Sequence, residues 1–526
     1  MDIDMLITTR LRYAIMFMVK LAQGLHTQQN KLQPVRMSYI ANNQSLSEGY
    51  LERIIAQLKK KGLVNATKGP GGGYSLSVAP NLITLSLILE SIGEDIKITR
   101  CENNHTSCLL NNTRCVAHNL WDDIGNHIKN YLNNTSLEDI LNNNFKSSIA
   151  SHNDTNPYIY ADYNSTSTVL PEIKYHLNNS CYLNIYNPSS IHKLGQKTRS
   201  IVEEARNTAI NQLNAQHHDA IFTSSGTEAN NLVINSTLDY KHLISSIEHL
   251  SIINSATNAE LIPVDSNGII CLDELSNLLY KFKDQKILVS VMTANNETGV
   301  IQPIKKIVEL SHKFGALVHT DAVQACGKIH IDIEDLGVDL LTISSHKLGS
   351  IAGAGVLFFN SNKIKIKPMI LGGHQEKGLR AGTENILAIY LLSISLNNLQ
   401  TSVKKMLAIE KLRNKLENEI LCLVPDAQIF SKDVNRLPNT SCISMPNVNH
   451  EIQVISFDIN NIAVGNGSAC STGVAGHSHV LSAMGISEDV ANNSIRISLS
   501  PDTTDDHIRE IVNCWYKIYT HNQMYK

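Results

Sequence analysis

Residues 142–156 read NNNFKSSIASHNDTN, and they divide the chain. The stretch is polar, short of large apolar side chains and followed by Pro157, which is the composition of a linker. A chain of 526 residues has room for several cores. We therefore expect a multidomain protein, with domains at 1–141 and 157–526 joined by the linker 142–156. The 42% apolar share suits globular domains. A net charge of −3 neither demands nor forbids nucleic acid as a partner. No apolar run approaches the roughly 18 residues of a membrane span, so no membrane partner is expected. The acidic start MDIDMLITTR and the short apolar run 13–19, closed by Lys20, read as no signal peptide. Ten cysteines without a secretory signal point to a reducing, cytoplasmic compartment, where thiols serve metals and catalysis.

The first half reads as α-rich. Ala14, Phe17, Met18 and Leu21 recur at helical spacing. A short helix is expected over 38–42, a turn over 43–46, and a second helix from about Ser47, whose hydroxyl can cap it. Leu51, Ile54, Ile55 and Leu58 form the apolar face of that helix, and Glu52, Arg53, Lys59 and Lys60 the other. Two short helices across a tight turn outline a helix-turn-helix. KGPGGGYSLS at 68–77 then reads as a glycine-rich hairpin whose tip can approach a phosphate backbone. From residue 53 to 89 there are five basic residues (Arg53, Lys59, Lys60, Lys61, Lys68) and no acidic one. A local positive patch of this kind is the footprint of DNA binding, although a solvated helix end beside a plain hairpin has the same composition.

RCENNHTSCLLNNTRCVAH at 100–118 places Cys101, Cys108, Cys115 and His118 in one Asn-rich loop, ahead of a helix that includes Trp121. Six residues separate each successive pair of cysteines, and Cys115-x-x-His118 is tight. Thiolates with a histidine suit an iron–sulfur cluster; zinc accepts the same donors, and free thiols are the plain alternative. LRYAIMFMVKLA, SEGYLERIIAQLKKKGLV, KGPGGGYSL and the RC…C…C-x-x-H loop, in this order, resemble the IscR family of winged-helix regulators over residues 8–141. The resemblance implies a 2Fe–2S cluster on Cys101, Cys108, Cys115 and His118. It also implies a homodimer on promoter DNA, with Arg53, Lys59, Lys60 and Lys68 as candidate DNA contacts.

The second half alternates apolar runs with helical patterns, among them ILVSVMTA at 287–294, ALVHTDAVQ at 316–324 and DLLTISSHK at 339–347. That is an α/β pattern with a mostly parallel, buried sheet, whose sites collect at strand ends. SSHK ends in Lys347, and a lysine shielded from water can form a Schiff base. Asp321 in HTDAVQ follows an apolar run, placed to pair with a protonated pyridine nitrogen. Lysine and acid together are what pyridoxal phosphate needs. FTSSGTEANN at 222–231 runs from an apolar strand into Gly226, Thr227 and a helix start, a phosphate cradle. VGNGSACSTGVAGHSHVL at 464–481 sets Cys470 among glycines, a poor place for a structural thiol and a good one for a thiolate that swings. The remaining cysteines of this half read as core or incidental.

IYADYNSTST, NPSSIH, SSGTEANN, EH, NNETGVIQPI, HTDAVQ, SSHK, LGGHQEKGLRAGTEN, GSACSTG, SHVLSAMG and SIRISLSP occur in this order. Together they resemble the IscS/NifS cysteine desulfurases. That resemblance implies the class V aminotransferase variant of the type I pyridoxal-phosphate transferase fold, with a large and a small subdomain. It implies Lys347 as the Schiff-base lysine, His249 stacked on the cofactor ring, and Asp321 at its nitrogen. Asn296 and Gln324 fall at the ring hydroxyl, and Gly226, Thr227, Ser344 and His346 at the phosphate. Thr383 reaches in from the partner subunit of a dimer. Arg496, with Asn296, holds the substrate carboxylate, and Cys470 takes the sulfur of L-cysteine as a persulfide while L-alanine leaves. His479 is a candidate helper of Cys470, with a structural role as the alternative. Departures from the family pattern are Gly465 and Asn466 before the cysteine, His477 for a common Pro, and no Pro after Lys347; none removes a catalytic group.

One half is expected to mobilise sulfur and the other to hold a cluster that needs it, with iron–sulfur scaffold and other sulfur-acceptor proteins as further partners. Two other readings stay open. The enzyme half could act mainly in dimerising a transcription regulator, or the N-terminal half could be a cluster module that does not bind DNA. Selenocysteine is the rival substrate.

Overall fold

A computed structural model describes residues 8–26, 34–44, 48–69, 72–94, 125, 128–129, 131–141, 158–178, 185–466 and 478–523. The chain forms two compact units, Met1–Asp154 and Thr155–Lys526, and their boundary falls inside the expected linker.

In the first unit, helix α1 (Thr9–His26) buries Leu11, Ala14, Phe17, Met18 and Leu21 at the expected spacing. Helix α2 (Met37–Gln44) is longer than the expected 38–42, and α3 spans Glu48–Lys60. Ser47, expected to cap α3, lies outside the described residues. The buried face of α3 is Leu51, Ile54, Ile55 and Leu58, as its pattern required. Strands β1 (Val64–Thr67) and β2 (Gly73–Leu76) pair antiparallel, with Val64 opposite Leu76. The glycines here have a packing reason as well as the expected openness toward phosphate. The Val35 carbonyl oxygen would lie 2.5 Å from a Cβ at Gly73, and the Val35 and Tyr74 backbones exchange hydrogen bonds of 2.8 and 2.9 Å. Any side chain at Gly73 would push that bridge apart.

The second unit holds two sheets. The larger comprises β4 (Asp219–Thr223), β5 (Lys241–Ser245), β6 (Glu260–Ile262), β7 (Ile287–Ser290), β8 (Leu317–Asp321), β9 (Leu340–Ser344) and β10 (Gly355–Phe359). Its order is β4-β10-β9-β8-β7-β5-β6. Only β10 runs antiparallel to its neighbours, so the expected mostly parallel sheet is present. Its central strands are buried at every position, because helices cover both faces. The smaller sheet is mainly antiparallel, with β3 (Ile159–Ala161), β11 (Gln428–Ile429), β12 (Thr440–Ser444), β13 (Ile462–Asn466) and β14 (Ser494–Ser498) in the order β11-β12-β14-β13-β3. Its core includes Phe457 and Trp515. The two sheets are the large and small subdomains. Strand β3 opens the domain in sequence yet pairs with β13, which ties both ends of the domain into one sheet. Among the described residues no single helix is long and apolar enough to cross a membrane.

Candidate active site

The parallel strands of the large sheet end on one edge, and their following turns carry the chemistry. Strand β4 leads through Ser225, whose hydroxyl caps the helix Gly226–Ser236 by accepting from the Glu228 amide. Strand β5 leads to His249, itself the cap of a short helix. Strand β7 leads to the turn that holds Asn296, β8 ends in Asp321, and β9 leads into the 3-10 turn Ser345–Lys347. From the small subdomain, β14 brings Arg496, and the segment after β3 brings Asn164 and Ser165.

These groups enclose a cavity of ≈ 280 Å³. Gly226, Thr227, His249, Asn296, Asp321, Gln324, Ser344, His346, Lys347 and Arg496 all line it, so most of the expected site is brought together. Thr383 does not line it; in the same chain it borders a different recess with Arg380 and Glu384. Cys470 lies outside the described residues, as do Cys101, Cys108, Cys115, His118 and Trp121. Arg53, Lys59, Lys60 and Lys68 are all exposed, on or beside α3 and the hairpin. Among the described residues no cluster of His, Cys, Asp or Glu could hold a metal.

Asp321 is 6% exposed and held from two sides. Asn230 Nδ2 donates to Oδ2 at 2.7 Å and the Val323 amide to Oδ1 at 2.9 Å. His249 Nδ1 accepts the Ser251 amide at 3.1 Å, which leaves its ring proton on Nε2. Lys347 Nζ donates to the carbonyls of Asn164 and Ser165. His346 is held neutral: burial, then the adjacent Lys347 charge, takes its pKa down to about 4. Arg496 donates through Nη2 to Asp162 Oδ1 at 2.6 Å and Ser165 Oγ at 2.7 Å, and through Nη1 to the Asn296 carbonyl at 3.0 Å. Its Nε is buried with no partner among the described residues.

The residues fit pyridoxal phosphate. An amine on one turn and a braced carboxylate on another line the same cavity. The cradle at Gly226 is tight, since a Cβ there would meet Val323 Cγ2 at 3.0 Å and Ser344 Cβ at 3.4 Å and push them back. The first amides of the helix Gly226–Ser236 supply the donors that an anion needs.

Several functional neighbours escaped the sequence reading. Asn230 braces Asp321, and Asp162 braces Arg496. Glu248 is fully buried, and burial together with the Asp321 charge raises its pKa well above the usual carboxylate range. Glu297 is also buried, its pKa pushed up to about 7 against the opposing pull of Ser478 and Arg496. All four stand inside the matched motifs, but nothing in a one-dimensional pattern says which polar side chain turns inward. His479 Nε2 donates to the Glu248 carbonyl at 2.9 Å, an anchoring contact. Burial pushes the Cys326 thiol up to about 12 and raises that of Cys442, which suits core residues rather than nucleophiles.

Comparison with known proteins agrees with this geometry. Residues 159–511 match the aminotransferase class-V family, and residues 7–143 match the Rrf2 family of iron-dependent transcriptional regulators. Cysteine desulfurase 2 of Trichormus variabilis is 36% identical over 67% of this chain and 91% of its own length. Cysteine desulfurase IscS of Clostridium botulinum is 34% identical over 69% of this chain and 94% of its own. The crystal structure of a NifS-like protein from Rickettsia africae superimposes with a TM-score of 0.64 at 39% identity, covering 69% of this chain and all of that one. The chain belongs to the aminotransferase class-V family as a cysteine desulfurase of the IscS/NifS kind, fused behind an N-terminal domain of the Rrf2 family.

Proposed function

We propose that this protein takes sulfur from L-cysteine onto Cys470 and supplies it for iron–sulfur assembly, while its N-terminal domain binds a 2Fe–2S cluster and promoter DNA. The observation that carries the enzymatic part is the meeting of Lys347, Asp321, His249, the Gly226 cradle and Arg496 around one cavity, although they are scattered over 271 positions of sequence from 226 to 496.

When bound there, pyridoxal phosphate would act as an electron sink that acidifies the α-carbon of an amino acid and weakens its bond to sulfur. Lys347 would hold the aldehyde carbon, Asp321 the ring nitrogen, Asn296 and Gln324 the ring hydroxyl, and Gly226, Thr227, Ser344 and His346 the phosphate. Thr383 of a second copy would complete that last group in a homodimer. Arg496 grips the substrate carboxylate with a planar fork already braced by Asp162. Lys347 Nζ takes the α-proton and later returns one. His249, its proton on Nε2, would stack on the cofactor ring. The Cys470 thiolate attacks the substrate sulfur, forming an S–S bond as the carbon–sulfur bond breaks. The electron pair of the broken bond stays with the carbon skeleton, which takes up a proton and leaves as L-alanine.

In the N-terminal domain, Cys101, Cys108, Cys115 and His118 would ligate the cluster. The exposed Arg53, Lys59, Lys60 and Lys68 would meet DNA phosphates. Joining the two activities in one chain raises the concentration of persulfide sulfur near the cluster ligands wherever the linker can span the gap. Sulfur passed on to scaffold proteins would serve other clusters.

The test is an absorption spectrum of the anaerobic protein before and after L-cysteine and ferrous iron, with no other sulfur source. Cluster bands should grow in the parent, and not in Cys470→Ala or in a Cys101, Cys108 and Cys115 triple-Ala variant. A cofactor band that responds to cysteine while no cluster forms would leave the desulfurase standing and refute the coupling.

A further inference from the structure

Lys328 is an anomaly on the far side of the cavity wall. It is 1% exposed, among the largest fully buried side chains of the chain. Among the described residues no carboxylate pairs with it; its neighbours in charge are the cations Lys347 and Arg496. A buried amine without a counter-charge is costly, and the backbone is shaped to put it there. Gly327 has φ +77°, and a Cβ on it would lie 2.9 Å from Leu348 Cδ2.

The two partners of Lys328 explain the placement. Its Nζ donates to Gln324 Oε1 and to Asn164 Oδ1, both at 2.7 Å. A lysine ammonium can only donate, so both neighbours must turn their oxygens toward it. The opposite edge of each carboxamide is then fixed. Gln324 Nε2 donates one proton to the Asn164 carbonyl at 3.0 Å, and Gln324 lines the cavity. Asn164 Nδ2 donates to the Asn296 carbonyl at 3.2 Å, the oxygen that also accepts from Arg496.

We propose that Lys328 is a positioning residue of the cofactor site. By claiming the side-chain oxygens of Gln324 and Asn164, it makes Gln324 present N–H rather than C=O to the cavity. This rests on the pyridoxal-phosphate reading above, in which Gln324 meets an oxygen of the ring. A donor there attracts that oxygen, whereas a reversed carboxamide would set two acceptors against each other. Burial and the charges of Lys347 and Arg496 hold the Lys328 pKa well below the usual lysine range.

The test is titration of the apoprotein with pyridoxal phosphate, reading affinity and the absorption maximum of the bound cofactor, in Lys328→Met, in Gln324→Ala and in the double variant. Lys328→Met should weaken affinity roughly tenfold, as loss of one oriented hydrogen bond does, and shift the absorption maximum. In the Gln324→Ala background the same substitution should change neither. Equal loss in both backgrounds would mean that Lys328 only packs, and an unchanged spectrum and affinity would mean that it orients nothing; either result overturns the proposal. Lys328→Gln, which keeps N–H donors, should retain affinity and absorption maximum, and a loss as large as that of Lys328→Met would overturn the proposal; Lys328→Leu carries the deletion where Lys328→Met does not fold. Failure of the parent to bind pyridoxal phosphate would overturn the cofactor reading itself, and the proposal with it.

Discussion

The two units of this chain place their working residues in opposite environments. In the C-terminal unit Lys347, Asp321 and Arg496 line one cavity, and Glu248, Glu297 and Lys328 are fully buried. In the N-terminal unit Arg53, Lys59, Lys60 and Lys68 stand in water. Charges out of water interact strongly and move each other's pKa. Charges in water are screened and act as a sum. Removing one residue of the first unit's patch should therefore trim a total, whereas removing one residue of the cavity should break a device.

Lys347→Ala tests the device most severely. Desulfurase turnover should fall by at least about a thousandfold, the size expected for a positioned proton carrier, measured as alanine release. Residual activity within tenfold of the parent would break the comparison. Arg496→Lys keeps the charge but loses the planar fork. KM for L-cysteine should rise by about a hundredfold, because three hydrogen bonds, the one to Asp162 among them, depend on that geometry.

Glu297 sharpens the comparison through pH. Its pKa of about 7 in the folded protein lies above the ordinary 4.5. Between these values the folded state holds a proton that the unfolded state has released, so stability falls as pH rises through the window. Glu297→Gln removes that dependence. The difference in unfolding free energy between variant and parent should grow in the variant's favour by about 3 kcal/mol from pH 4.5 to pH 8; a flat difference would mean that the carboxyl is not desolvated. The smallest effect belongs to the exposed patch. Replacing Lys59 and Lys60 by Ala should lower the slope of log affinity for DNA against log salt by about two. A collapse of binding at all salt concentrations would show that these lysines contribute more than charge.

Both the buried face of α3 and the parallel sheet were legible in the sequence, because burial on one helix face or on both sheet faces leaves a periodic apolar signature. The carriers of the site were legible for a different reason. Lys347, Asp321 and Gly226 sit directly after apolar runs, where a strand must stop and a turn can face a ligand. The braces were not legible. Asp162 lies 334 positions from Arg496, Asn230 lies 91 from Asp321, and Asn164 lies 164 from Lys328. Each is a common polar residue whose neighbours in sequence carry no mark of its role.

The sequence by itself determined the domain division, the order of the elements and the residues able to do chemistry, since these depend on local composition and periodicity. Only the tertiary structure decided which of them share a cavity, which carboxyls lose their water and which distant oxygens Lys328 binds. Those are consequences of burial and of long-range hydrogen bonding. Both arise when distant segments close on one another and water is excluded between them.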